Sequence, residues 1–151
     1  MPTSVLLTRT AERQVGSLRK PDLASYQQFI TELKSQGCRA LGYRLSGPVV
    51  EHLCVKHLRG TLRAVVGFLT KEEAVILLVG PHIDTDPQID VYAALYQLAG
   101  LDTPPLDKRT KPSCCGETSG SPPLEDGLVD SLTQRAQELA KSSSRRRGRA
   151  R

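Results

Sequence analysis

The sequence predicts an α+β domain followed by a basic extension. Apolar residues recur at helical spacing over 11–33 and again over 89–98, and short apolar runs rich in β-branched residues lie between them. Composition then changes near residue 102, where regular apolar periodicity gives way to Pro, Gly, Ser and Thr. The chain has 151 residues, which is the length of one domain. Aromatic residues make up only 4% and Trp is absent, so aliphatic side chains must build the core. The longest apolar run is AVILLV at 74–79, which is strand length and far below the ~18 residues of a membrane span.

The elements follow in order. SVLLT (4–8) is a short strand. Thr10 is positioned to cap a helix in which Ala11, Val15 and Leu18 share a face, and Lys20-Pro21 ends it. Asp22 caps a second helix carrying Leu23, Tyr26, Ile30 and Leu33, and Gly37 closes it as a C′ glycine. Residues 38–48 read as a loop, and VVEHLCVKH (49–57) as a strand. After the turn LRGT comes the strand LRAVVGFL (62–69), then a TKEE hairpin turn. AVILLVG (74–80) is apolar throughout, so it is expected to be central or covered on both faces. Asp86-Pro87 reads as N-cap and N1 of a third helix carrying Ile89, Tyr92, Ala93, Leu95 and Leu98. The expected order is β-α-α-β-β-β-α, an antiparallel sheet of about four strands with the helix hairpin on one face and the other face free. Beyond residue 101, 102–123 is expected to be a disordered linker, 124–142 an amphipathic helix with Leu128, Leu132, Ala136 and Leu139 aligned, and 143–151 a basic disordered tail.

Charge is divided along the chain. Residues 1–101 hold 11 Lys/Arg against 9 Asp/Glu, and 102–151 hold 10 against 7, with five arginines in SRRRGRAR at the end. Basicity alone therefore says little about nucleic-acid binding by the folded part. The N-terminus MPTSVLLTRTAE lacks a charged-then-apolar leader, which points to the cytoplasm. There the four cysteines, Cys38, Cys54, Cys114 and Cys115, are expected to be reduced. None of their spacings suits zinc, so no metal site is expected.

Several blocks, in order, resemble the RelE/ParE superfamily of bacterial toxins: TRTAERQVGSL (8–18), LSG (45–47), LRGTLRAVVGF (58–68) and AVILLVGPHIDTDPQIDVYAAL (74–95). The resemblance covers 4–99 and implies the α+β fold of that superfamily. It also implies a toxin held by a cognate antitoxin, with no cofactor, no metal and no membrane. RelE-like members cut messenger RNA on the ribosome; ParE-like members share the fold and inhibit DNA gyrase without catalysis. A protein-binding or regulatory module of the same fold is a further alternative, so the site must decide.

Metal-free RNA cleavage requires a base for the 2′-hydroxyl, an acid for the leaving 5′-oxygen and a fixed cation at the phosphate. By the resemblance, Arg63 holds the scissile phosphate through its planar fork, Lys56 supplies a cation for the developing charge or, with a depressed pKa, the base, and His82, two residues after Val79-Gly80, donates the proton. Tyr92 orients the 2′-hydroxyl or stacks on a base, although it also fits the apolar stripe of the last helix. His52 is a second acid/base candidate, and Arg59 and Arg44 are expected contacts to the RNA backbone. Strand alternation puts His52, Cys54 and Lys56 on one face and Leu53, Val55 and His57 on the other; Leu53 and Val55 are expected toward the core, so His52 and Lys56 face the open side and His57 sits at the strand end. The insert IDTDPQID carries Asp84, Asp86 and Asp90, which are expected to repel RNA locally.

Overall fold

The computed structural model describes residues 2–45, 50–83, 85–86, 88–100, 114–115, 122, 124 and 127–149. The α+β class holds. Five strands, β1 (Ser4–Leu7), β2 (Tyr43–Arg44), β3 (Leu53–His57), β4 (Leu62–Thr70) and β5 (Glu73–Pro81), form one sheet in the order β1-β5-β4-β3-β2. β1 runs parallel to β5, and all other pairs are antiparallel. The helices are α1 (Arg9–Gly16), α2 (Lys20–Gln36), α3 (Val91–Leu98) and α4 (Leu128–Arg149). The fifth strand is β2, two residues long within the stretch expected to be a loop. The expected strand 49–57 is shorter, because Val50–His52 forms a 3-10 turn before β3.

The helix boundaries moved for identifiable reasons. Thr8, not Thr10, caps α1: its hydroxyl accepts from the Ala11 amide at 3.0 Å. The same hydroxyl donates to the Leu77 carbonyl at 2.8 Å, and Gln14 Oε1 accepts from the Val79 amide at 2.7 Å. β1 ends at Leu7, so these side chains satisfy the edge of β5 that no strand reaches. α2 starts at Lys20 with Arg19 as its N-cap and Pro21 in its first turn. It ends as expected on Gly37, at φ 60°. α3 begins at Val91 because Asp90 is its N-cap, accepting from Ala93. Asp86 instead shapes the preceding turn, Pro87 lies outside the described residues, and Ile89 is left 52% exposed.

Both faces of the sheet are covered, contrary to the expected free face. Cys54, Ala64, Val66, Phe68, Ala74 and Ile76 pack under Ala11 of α1 and Tyr26, Phe29 and Leu33 of α2. Leu53, Val55, Val65, Val75 and Leu77 pack under Val91, Tyr92 and Leu95 of α3 and Val129 and Leu132 of α4. β5 is therefore buried on both sides from Ala74 to Gly80, as its unbroken apolar run requires. α4 belongs to this core: its apolar positions recur at helical spacing, Thr10 donates to the Ala136 carbonyl at 2.7 Å, and Arg135 donates to Leu98 O at the end of α3. The helix continues past the expected limit of 142 through Arg149.

The expected linker 102–123 lies mostly outside the described residues, but two of its members do not behave as a free tether. Cys114 is bonded to Cys54 and Cys115 to Cys38. The expectation of four reduced thiols is thus corrected. Adjacent cysteines bridge each other poorly, but here each reaches a different partner on the α2 side of the sheet. Among the described residues no helix is long and apolar enough to cross a membrane, and no cluster of metal-ligating side chains occurs.

Gly67 tests the docking of α4. A Cβ there would lie 2.9 Å from both methyls of Val129 and 3.1 Å from Leu53. Gly67→Ala should therefore destabilise the fold by about 1–3 kcal/mol through overpacking, against the small gain an exposed strand glycine would give. Val129→Ala in the same chain should recover part of that loss. Thermal melts of the two single variants and the pair check this; additive losses would exclude the contact.

Candidate active site at the α3 end of the sheet

Alternation along β3 puts His57 on the face of Leu53 and Val55, under α3. Register then pairs His57 with Arg63 on β4, and Arg63 with Gly80 on β5. Directly paired residues share a face, so these positions form a row across three strands. Past Gly80, the His82 amide donates to Thr61 O at 2.8 Å, which extends the ladder and carries His82 to the same end. α3 crosses above this row, with Val91 Cγ2 only 3.7 Å from where a Gly80 Cβ would be, and it delivers Tyr92. From the sheet edge, Tyr43 on β2 reaches in beside His57.

Six side chains meet there. The Tyr43 and Tyr92 hydroxyls are 2.6 Å apart, and the Tyr43 hydroxyl is 3.2 Å from His57 Nε2. The His82 ring stands edge-on to Tyr92 with centroids 4.5 Å apart, and Tyr43 and His57 make a similar contact at 5.5 Å. His82 Nδ1 lies 2.9 Å from Asp90 Oδ1, which also accepts from the Ile83 amide, while Oδ2 caps α3 at Ala93. Asp90 is 5% exposed, so its carboxylate is almost wholly committed to these donors. A carboxylate oxygen accepts, so His82 Nδ1 is the donor in this contact. Arg63 folds back over the β3–β4 turn, its Nη1 donating to the Gly60 and Leu62 carbonyls at 3.0 and 3.1 Å. Its Nε is buried without a hydrogen-bond partner among the described residues, an arrangement that costs about 1–3 kcal/mol.

Tyr92 is the hub. At 4% exposure it is packed under α3, so the rim of the site belongs to His57, Arg63, His82 and Tyr43. Burial drives its phenol pKa far above the ordinary value, the hydrogen bond and charge of Tyr43 push the same way, and Arg63 opposes them. It therefore stays a neutral hydroxyl at any physiological pH. It can hold its neighbours in place but cannot act as a base, and a ring so enclosed offers little surface for stacking a nucleotide.

Among the expected site residues, Arg63, His82 and Tyr92 come together. Lys56 pairs with Ala64 and Arg44 with Cys54, which puts both on the opposite, α2-side face. The expectation that Lys56 shares a surface with Arg63 does not hold, because both faces are core and the rows alternate. His52 lies in the 3-10 turn, 3.5 Å from Glu51, and not on a strand face. Arg59 sits in the β3–β4 turn, 63% exposed, with Asp22 at 3.6 Å. Three members escaped the sequence: Tyr43, His57 and Asp90. Alternation did place His57 correctly but assigned its face to buried core, and a helix cap two residues before Tyr92 would have pointed to Asp90. A two-residue strand leaves no periodic signal for Tyr43.

No protein-family model matches the chain, and no curated protein matches it in sequence. Among solved structures, the crystal structure of the toxin–antitoxin complex RelBE2 from Mycobacterium tuberculosis is similar over 52% of this chain and 96% of the matching chain, at 27% identity and a TM-score of 0.45.

The tyrosines set an alkaline limit. Burial pushes the Tyr26 phenol up to about 12, and Tyr92 is raised in the same direction. A raised phenol pKa means that the fold prefers the protonated form. The stability is intact below the unfolded value near 10 and is lost as pH rises from 10 toward 12. Tyr26 alone accounts for roughly 2–3 kcal/mol at about 1.4 kcal/mol per pH unit. Urea midpoints measured at pH 8 and pH 11.5 should fall steeply for the natural chain and less steeply for Tyr26→Phe.

Proposed function

We propose that this chain is the toxin of a toxin–antitoxin pair and a metal-independent endoribonuclease that cleaves messenger RNA, on the ribosome, in the cytoplasm. The observation that carries the proposal is the convergence of Arg63 and the His82–Asp90 pair on Tyr92, with His57 in the same row. The cluster supplies the three things the chemistry needs. Arg63 neutralises the phosphate and the charge that develops on it. His57, on the exposed rim, takes the 2′-hydroxyl proton. His82, held in place by its contact with Asp90, gives a proton to the leaving 5′-oxygen. Requirement for a 2′-hydroxyl confines the reaction to RNA. Tyr92 and Tyr43 position these groups. The partner is a cognate antitoxin that lays a helix or strand against the domain, and a small acidic reading frame beside this one would encode it.

A gyrase inhibitor of ParE type, or a protein-binding module of the same fold, is the second reading. The separation of Lys56 from Arg63 favours it, since one of the expected cations is missing from the cluster. Expression of the natural chain beside Arg63→Ala, His82→Ala and Lys56→Ala separates the two. The ribonuclease reading expects messenger RNA to be cut, with chelator present, by the natural chain and Lys56→Ala. It expects cleavage to fall about 10²–10⁴-fold in the other two. Equal cleavage by all four would sink the site assignment, and growth arrest with intact RNA and trapped gyrase would establish the second reading.

A further inference from the structure

The two disulfides converge on one point. Cys114 and Cys115 are adjacent, and they fasten β3 through Cys54 and the 3-10 turn Gly37–Ala40 through Cys38. Cys38 and Cys54 bracket β2: Cys38 lies five residues before Tyr43, and Cys54 faces Arg44 in the β2–β3 register. The covalent path Cys38–Cys115–Cys114–Cys54 thus closes a ring around the segment that presents Tyr43, and its far end lies three residues before His57. Apart from that ring, β2 is short. It pairs with β3 at only two positions, flanked by the Gly42 amide on Val55 O at 3.0 Å and the Leu45 amide on Leu53 O at 3.1 Å. Such an edge is the part of a sheet that opens most readily.

In a compartment that keeps thiols reduced, disulfides that do form act as redox sensors more often than as permanent staples. We propose that Cys114–Cys115 is a two-pronged redox latch: oxidised, it holds β2, and with it Tyr43 and His57, in the geometry of the site; reduced, it releases them. The regulatory part of this rests on the ribonuclease reading. The opening step is attack of a dithiol's thiolate on the sulfur of Cys115, a partly exposed residue, while Cys38, Cys54 and Cys114 are buried. Cys38 leaves as thiolate, and the dithiol closes to its own disulfide. A second dithiol opens Cys54–Cys114 in the same way. Two dithiols are oxidised, and four protein thiols are formed from four electrons and four protons.

The test uses the full chain purified without reductant, then treated with dithiothreitol and reoxidised. Thiol titration should find none before and four after reduction. Hydrogen exchange over 42–45 should rise on reduction and fall back on reoxidation. RNA cleavage should drop on the order of 10- to 100-fold with it, the scale of losing site geometry. The double variant Cys114→Ala/Cys115→Ala should match the reduced protein with or without reductant, while a circular-dichroism spectrum like that of the natural chain confirms that it folds. Four free thiols in the unreduced protein, or exchange over 42–45 that ignores reduction, would overturn the latch. Exchange that responds while RNA is cut in neither state upholds the latch and removes the ribonuclease reading instead.

Discussion

β5 is buried along both faces, and that single constraint shapes the rest of the molecule. A strand reading AVILLV has no polar face to offer water, so a helical layer must lie on each side of the sheet. α1 and α2 supply one layer and α3 and α4 the other. The second layer needs α4, since α3 covers the sheet only toward the Gly80 end and Leu53, Gly67 and Val75 lie beneath Val129 and its neighbours. The extension beyond residue 101 is therefore structural at least through Ala136, and a chain cut at 101 would expose that face.

The same constraint accounts for details at the strand's edges. β5 outruns its parallel neighbour β1, and a register shift lies at Leu77. Buried carbonyls and amides must still be satisfied, and here α1 does it, with the Thr8 hydroxyl on Leu77 and the Gln14 amide oxygen on Val79. Thr8 thereby serves two elements at once, starting the helix and completing the sheet.

At the other end, covering the sheet and building the site are one event. Asp90 starts α3 and at the same time fixes the tautomer of His82. Tyr92 is a core residue of α3, and because its hydroxyl is buried it must find a partner, which is Tyr43. The candidate site thus has a floor of buried, hydrogen-bonded groups, Tyr92 and Asp90, and a rim that carries Arg63 and the two histidines. The opposite face carries Lys56, Arg44 and the disulfides, so the candidate site and the disulfides lie on opposite sides of the sheet.

The sequence by itself determined the α+β class, the meander of β3 to β5, the glycine stop of α2, the apolar stripes of α1 and α2 and the burial of β5. All of these are set by local periodicity and caps, which act over a few residues. It also named Arg63, His82 and Tyr92. What only the tertiary structure decided was which side each residue faces and what it meets there. Two-residue alternation assigns Lys56 and His57 to opposite faces but does not say which face holds the site, because both are apolar. Tyr43, Asp90 and the pairing of four cysteines across separations of 60 and 77 residues depend on contacts between distant segments. No local preference encodes those; they arise only once β5 has drawn a helical layer onto each side.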